Sequence, residues 1–209
     1  VELLRELREQ GDITQADDGR WRENQALSWE NIPARVEGVI EKRIGRLPDE
    51  LLGLLTTGCV QGEAFDAEVI AQVQQTDPGQ VIRRLSDDLD RQHRLIHEGG
   101  LMLTGTGRLS QYRFRHQLFQ KYLYGRLGTA ERAYLHEAVG NALETLYSGS
   151  ESAGEIPATQ LARHFQEARL HRKASRYLLL AGQLAARVLA FEEAALYFER
   201  GLSELENLD

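Results

Sequence analysis

Residues 95–116 read Leu-Ile-His-Glu-Gly-Gly-Leu-Met-Leu-Thr-Gly-Thr-Gly-Arg-Leu-Ser-Gln-Tyr-Arg-Phe-Arg-His, and they interrupt an otherwise helical pattern. Leu95-Ile96-His97 is a short apolar run. Gly99-Gly100 predicts a turn, Leu101-Met102-Leu103 is a second run, and Gly105 and Gly107 predict a second turn. Tyr112 and Phe114 then alternate with Arg113 and Arg115, the period of two expected of a half-buried strand. Two or three short antiparallel strands are expected here.

Upstream, the periodicity is helical. Pro33 suits a first helical position, and Val36, Val39, Ile40 and Ile44 are expected to share an apolar face. Pro48 opens a second helix holding Leu51, Leu52, Leu54 and Leu55. Asp66 can cap a third with Val69, Ile70 and Val73. Asp77-Pro78 starts a fourth, expected to run to about His93 with Val81, Ile82, Leu85 and Leu89 on one face. Helices leading into a small glycine-rich β-hairpin describe a winged helix, the hairpin being the wing. Before it, Leu3, Leu4 and Leu7 suggest a helix stopped at Gly11. Asp17-Asp18-Gly19, flanked by Ile13 and Trp21, suggests a linker or short hairpin.

Downstream, Leu118, Phe119, Tyr122 and Leu123 resume the helical pattern, and Gly125 and Gly128 break it. Thr129 then opens a helix that carries Tyr134, Leu135, Ala138, Leu143 and Leu146 and ends at Tyr147. Residues 148–155 are polar, of low complexity, and expected to be mobile. Three helices follow, at about 157–168, 171–188 and 191–206. Their small residues, Ala162, Ala174, Ala181-Gly182, Ala194 and Gly201, let antiparallel helices approach closely, while Phe165, Leu178 and Phe198 fill the space between them. The arrangement resembles tetratricopeptide (TPR) repeats, above all in Phe191-Glu-Glu-Ala-Ala-Leu-Tyr-Phe-Glu-Arg-Gly-Leu202. Its spacing is tighter than the ~34 residues of a full repeat, so the helices are TPR-like. An ordinary helical bundle is the alternative.

The bulk properties narrow the classes. The 209 residues carry a net charge of −7 and 42% hydrophobic residues, enough for a core and the wrong sign for a broadly nucleic-acid-coating surface. One cysteine, Cys59, builds neither a disulfide framework nor a zinc site, and a cytoplasmic setting is expected. No apolar run approaches the ~20 residues of a membrane span. The chain opens on Val1 inside a helical pattern, and a solenoid needs several stacked units, so the expectation is a piece of a longer protein.

The order of these signals resembles the STAND-type NTPases. Residues 1–11 look like the helix that closes the ATPase module of that family. Ile32-Pro33-Ala34-Arg35-Val36 with Ile40, Arg43, Ile44 and Leu47 look like the start of the winged-helix domain after it. Leu54-Leu55 to Phe65 and Tyr112-Arg-Phe-Arg-His-Gln-Leu-Phe-Gln-Lys-Tyr-Leu-Tyr124 continue the likeness. The resemblance implies three segments: residues 1–31 as module tail and linker, 32–128 as winged helix, and 129–209 as a TPR-like region. The fold expected is mostly α, with a small β-wing. The implied function is regulation: the winged helix docks on the protein's own upstream ATPase domain, and the TPR-like helices bind a partner or inducer. The phosphate loop G-x-x-x-x-G-K-[ST] is absent from the sequence. No cofactor is therefore expected on this piece, with ATP or ADP and Mg implied for the longer protein. Bacterial members are often transcriptional regulators or carry cyclase or kinase domains. Related switches have a Met-His-Asp-type motif whose histidine reaches the ADP β-phosphate. Arg115-His116-Gln117-Leu118 occupies that place, with Arg for Met and Gln for Asp, so His116, beside Arg115, is the candidate phosphate sensor. An imidazole at a helix N-terminus suits that task. The alternative is a histidine bonded to a local carbonyl.

From Gly99 to Ala130 there is no carboxylate, yet Arg108, Arg113, Arg115, Lys121 and Arg126 are present. These predict an anion-facing surface, or a solvated strand face with counter-ions from elsewhere. A DNA-binding winged-helix transcriptional regulator with a helical dimerisation domain is the competing reading. Asp87, Asp88 and Asp90 on the candidate recognition helix argue against DNA contact, because phosphate contacts dominate such affinity. Catalysis finds little support. The histidines lack metal-ligand spacing, no Gly-x-Ser-x-Gly occurs, and Cys59 sits where a packed thiol is expected.

Overall fold

The computed structural model of the chain describes residues 13–15, 21–23, 34–104, 107–147 and 157–207. It is mostly helical, with a small three-stranded antiparallel sheet besides a two-stranded hairpin. Among the described residues no helix is long and apolar enough to cross a membrane. The chain divides into two compact units, Val1–Leu52 and Gly53–Asp209. The boundary expected between residues 128 and 129 lies inside the second unit.

In the first unit, β1 (Ile13–Gln15) and β2 (Trp21–Glu23) pair antiparallel, with Gln15 opposite Trp21. In α1 (Ala34–Ile44), Ile40 and Ile44 are buried, as is Leu47 beyond it. Val39, expected on that face, is 57% exposed. The buried row follows i, i+4 spacing, and Val39 sits about 100° round the helix from Ile40. The helix expected before Gly11, the Asp17-Asp18-Gly19 turn, Pro33, the side chain of Val36, Gly105 and residues 148–155 lie outside the described residues.

The second unit opens within α2 (Asp49–Gln61), whose Leu54, Leu55, Cys59 and Val60 are buried. β3 (Ala64–Asp66) leads into α3 (Ala67–Gln74), which packs on a later helix, α6 (Thr129–Tyr147). Asp66 holds the cap position of α3 but makes no capping bond; its Oδ1 is buried without a hydrogen-bond partner. Burial, followed by the nearby Glu68 charge, raises its carboxyl pKa to about 6. Asp77 does cap α4 (Pro78–Arg84), accepting from the Gln80 N–H at 2.9 Å.

The helix expected to run to His93 changes character. Leu85–Gln92 is π-helical, and its cause lies on a strand. The hydroxyl of the buried Tyr112 donates to the Ile82 carbonyl at 3.4 Å and lies 2.8 Å from Ser86 Oγ. A side chain inserted into the i→i−4 ladder displaces its bonds and widens the turn. Leu85 and Leu89 stay buried, so the apolar face survives the distortion.

The sheet has the order β3-β5-β4, with β4 at Ile96–Thr104 and β5 at Gly107–Phe114. Gly99-Gly100 is not the turn that the sequence suggests. It is a bulge inside one continuous strand: the register shifts between Glu98 and Gly100, and Gly100 has φ +118°. A bulge uses glycine's positive φ as a turn does, so the dipeptide alone does not separate the two. Tyr112 and Phe114 are buried against Phe65, with ring centroids 6.2 and 5.2 Å from it, while Arg113 and Arg115 are exposed.

After α5 (Gln117–Gly125) and α6, the chain forms α7 (Ala158–Glu167), α8 (His171–Arg187) and α9 (Phe191–Glu206), each packed on its predecessor. The small residues sit where the helices approach. A Cβ on Gly140 would lie 2.8 Å from the Phe165 ring, and one on Gly182 would overlap Phe198. Tyr134, expected on the packed face of α6, is 69% exposed; that face is carried by His136, Val139 and Leu143, at i, i+3 and i+7.

Replacing Tyr112→Phe removes the hydroxyl that links the strand to Ser86 Oγ and to the Ile82 carbonyl, which keeps its bond from the Leu85 N–H. A loss of about 1–2 kcal/mol in urea unfolding is expected, with faster amide exchange across 85–92. An unchanged midpoint and exchange pattern would show that the hydroxyl does not hold the π segment.

Candidate functional site

The strand-to-helix passage at 114–117 holds the residues that the sequence singles out. Arg115 is committed. Its Nη2 donates to Asp90 Oδ1 at 2.7 Å, and its Nε donates to the Ile96 carbonyl at 2.7 Å. Asp90 also accepts the Glu98 N–H at 3.3 Å, so Arg115 and Asp90 brace the start of β4 against the π segment. His116 follows as the N-cap residue of α5, with extended backbone (φ −139°, ψ 131°) and no side-chain capping bond. Its ring is exposed and lies 6.1 Å from that of Phe119.

The other basic residues do not form a uniform surface. Arg108 is exposed at the start of β5. Arg113 lies 3.8 Å from Glu63. Lys121 is half-buried on α5. Arg126, at the C-cap of α5, donates to the Tyr122 hydroxyl at 2.6 Å and lies over its ring. The carboxylate-free run in sequence therefore receives carboxylates in space, from Asp90 and Glu63 on other elements.

A second constellation joins the sheet-bearing part of the unit to its later helices. α2 ends with no basic residue in its last turn, leaving orphan carbonyls at the negative end of the helix. Gln120 of α5 donates to the Cys59 carbonyl at 2.8 Å. Arg163 of α7 donates to the Val60 carbonyl at 3.4 Å and to that of Gln61. Arg163 Nη2 also lies 3.4 Å from His164 Nε2, His164 Nδ1 lies 2.9 Å from His136 Nδ1, and His136 Nε2 lies 3.0 Å from the Tyr124 hydroxyl. Arginine can only donate, so one pair of neutral tautomers lets every contact in the row be a hydrogen bond. His164 accepts at Nε2 and donates from Nδ1 to His136, which donates from Nε2 to Tyr124. Both imidazoles are then neutral and satisfied. Arg132 closes the group, donating to the Tyr124 and Leu127 carbonyls while its guanidinium lies 4.3 Å from the Tyr124 ring centroid.

The electrostatics agree with that assignment. Burial, then the Arg163 and Arg132 charges, push the His136 pKa down to about 4. Burial and the neighbouring Arg163 and His136 also push His164 down. Cys59 is buried, donates its S–H to the Thr56 carbonyl, and has its thiol pKa raised to about 12 by burial, so it is a packed thiol and not a nucleophile. Among the described residues, no group of three or more His, Cys, Asp or Glu is placed to hold a metal ion.

Sequence reading for metal or catalytic spacing passes over Tyr124, Arg132, His136, Arg163 and His164. The available signal is different: His136 falls in register with Val139 and Leu143, and His164 lies beside Leu161 and Phe165, which places polar side chains on apolar faces.

The histidine pair makes stability depend on pH. In the unfolded chain each histidine takes up a proton near 6.5, while folded His136 resists until about 4. The unfolded state thus binds more protons in that window, and the stabilisation present above 6.5 is lost as pH falls toward 4. Asp66 acts with the opposite sign, since its raised pKa favours the folded state below about 6. Asp66→Asn should therefore raise the melting temperature at neutral pH and steepen its fall below pH 6.5, and adding His136→Gln should flatten that fall. Parallel pH profiles for native chain and variants, read by circular dichroism, would count against the assignment. Comparison of the chain with known protein families, curated proteins and solved structures gives no match, so the functional reading rests on these residues.

Proposed function

We propose that the chain is the regulatory arm of a nucleotide-switched STAND-type signalling ATPase, working in the cytoplasm. On this reading residues 32–128 form a winged helix that docks on the protein's own ATPase module, and residues 129–209 are a TPR-like region that receives a protein partner or inducer. ATP or ADP and Mg belong to that module, since the phosphate-loop pattern is absent from this sequence. The helix–strand–helix–helix–hairpin order, with sheet order β3-β5-β4, supports the winged-helix reading. The consecutive packing of α6 to α9 through Gly140, Gly182 and Gly201 supports the TPR-like one.

The observation that carries the proposal is the polar joint. Arg163 on α7 holds the end of α2, and His164 bonds His136 on α6. A partner acting on the C-terminal helices thus pulls directly on the first helix of the sheet-bearing part. A switch of this kind needs ADP and ATP to favour different docked arrangements. The exposed His116 ring at the start of α5 supports its role as phosphate sensor. Arg115, engaged with Asp90, is read as the brace that presents it.

DNA binding by this winged helix is disfavoured. The second half of the candidate recognition helix is π-helical and carries Asp87, Asp88 and Asp90. Its Arg91 is paired with Asp87 at 2.5 Å. Acidic groups in that position repel phosphate. A gel shift of the isolated chain at physiological salt tests this: no sequence-selective complex is expected, and one would overturn the switch-arm reading. In the protein joined to its ATPase module, His116→Ala should speed ADP release about tenfold or more, as loss of one charge-assisted bond implies. Unchanged ADP retention refutes the sensor role.

A further inference from the structure

The last helix, α9, presents two surfaces. One carries Ala194 and Gly201, both buried, with Gly201 against Leu178 of α8. The other carries Phe191, Ala195, Leu202 and Leu205; Phe198, whose ring turns in against Gly182 of α8, sits at the border of the two, and the five are spaced four, three, four and three residues apart. That is the heptad spacing of a helix–helix seam. Phe191, Leu202 and Leu205 are 65%, 63% and 46% exposed, Ala195 is exposed, and Phe198 is half-buried. Isolated surface leucines need no explanation, but apolar side chains exposed in one register at both ends of a helix do.

The charges beside the stripe are as regular. Glu192, Glu199 and Glu206 recur once per heptad, all exposed, each immediately after a stripe residue. They line its outer edge at the positions that select coiled-coil partners. The opposite edge is occupied by Ala194 and Gly201, already covered by α8.

This asymmetry argues against a second copy as the occupant. Two copies of α9 packed antiparallel would set one glutamate row against the other. Packed parallel, each row would need the partner's Ala194–Gly201 edge, which α8 covers. Both two-fold arrangements are disfavoured. We infer that the Phe191–Leu205 stripe of α9 docks an amphipathic helix of another protein, with an apolar heptad seam and lysines or arginines on the flank that meets Glu192, Glu199 and Glu206. The inference rests on the reading that the C-terminal helices receive a protein partner, and on nothing about nucleotide or DNA.

The test uses the whole chain and two synthetic helical peptides with the same leucine seam, one flanked by lysines and one by glutamates. Fluorescence anisotropy should show binding of the lysine peptide, weakened at least tenfold by about 1 M salt, which shortens the screening length to ~3 Å. The glutamate peptide should bind at least tenfold more weakly. Leu202→Asp with Leu205→Asp, both at exposed positions, should weaken lysine-peptide binding at least tenfold with the circular dichroism spectrum unchanged. The reversal Glu192→Lys, Glu199→Lys, Glu206→Lys should invert the preference between peptides. Equal affinity for the two peptides, or binding indifferent to the leucine changes, overturns the inference. So does a dimer in sedimentation that Leu202→Asp dissolves, which would assign the stripe to a second copy. The gel-shift and ADP-release results leave all these outcomes open, so the two readings fail separately.

Discussion

The structure of the second unit turns on how the end of one helix is satisfied. α2 finishes at Gln61 with no local cation and with carbonyls turned out of the helix ladder. Left buried and unpaired, each such group costs about 1–3 kcal/mol. The chain answers with donors from far along the sequence, Gln120 on the Cys59 carbonyl and Arg163 on those of Val60 and Gln61. An arginine at a helix C-terminus also meets the negative end of the macrodipole. Once Arg163 is fixed there, its neighbour His164 is fixed too, and with it the bond to His136 and the packing of α6 on α7. α3 packs on the same α6, so the polar contacts and this packing meet on one helix.

Much of this fold was legible in the sequence because its signals are local. The Asp77 cap, the glycine breaks around Gly125 and Gly128, and the alternation of Tyr112 and Phe114 with Arg113 and Arg115 are each read within a few residues. The three C-terminal helices fall within a residue or two of their expected bounds. What escaped depends on partners distant in sequence. The π segment exists because Tyr112, on a strand, reaches Ile82 and Ser86; nothing between Leu85 and Gln92 announces it. The Gly99-Gly100 bulge and a turn demand the same backbone freedom, and only the β5 register separates them. Asp66 looked like a cap, yet its backbone N–H bonds the Gln61 side chain while its own carboxylate stays without a partner.

The same limit applies to the site. A run of basic residues without acids, from Arg108 to Arg126, reads as an anion-facing surface along the chain. In the fold, Asp90 takes Arg115 and Glu63 approaches Arg113, so the run supplies a brace as well as a surface. His116 is exposed at the start of α5, while the buried His136 and His164 bond each other. Spacing alone could not separate them. What distinguishes His136 and His164 is that they lie on apolar helix faces, where a histidine must stay neutral and find a partner.

Two surfaces of the C-terminal helices therefore have opposite physical characters. The joint is polar and made of directed bonds: moving α7 relative to α2 would take the Arg163 donor from the buried Gln61 carbonyl, while the exposed Arg163 itself would keep its water. The α9 stripe is apolar, exposed and periodic, so its strength grows with the area covered and its selectivity comes from the flanking glutamates. A contact of the second kind can form and break as a partner comes and goes, because no buried polar group depends on it. A contact of the first kind cannot break cheaply, and that suits it to carry a displacement. If a partner's arrival at α9 is to reach α2, the force must pass through α8 and α7, whose interfaces are close-packed at Gly182 and Gly140 by the Phe198 and Phe165 rings. Close-packed interfaces transmit small shifts instead of absorbing them, and the side chain they deliver the shift to is Arg163.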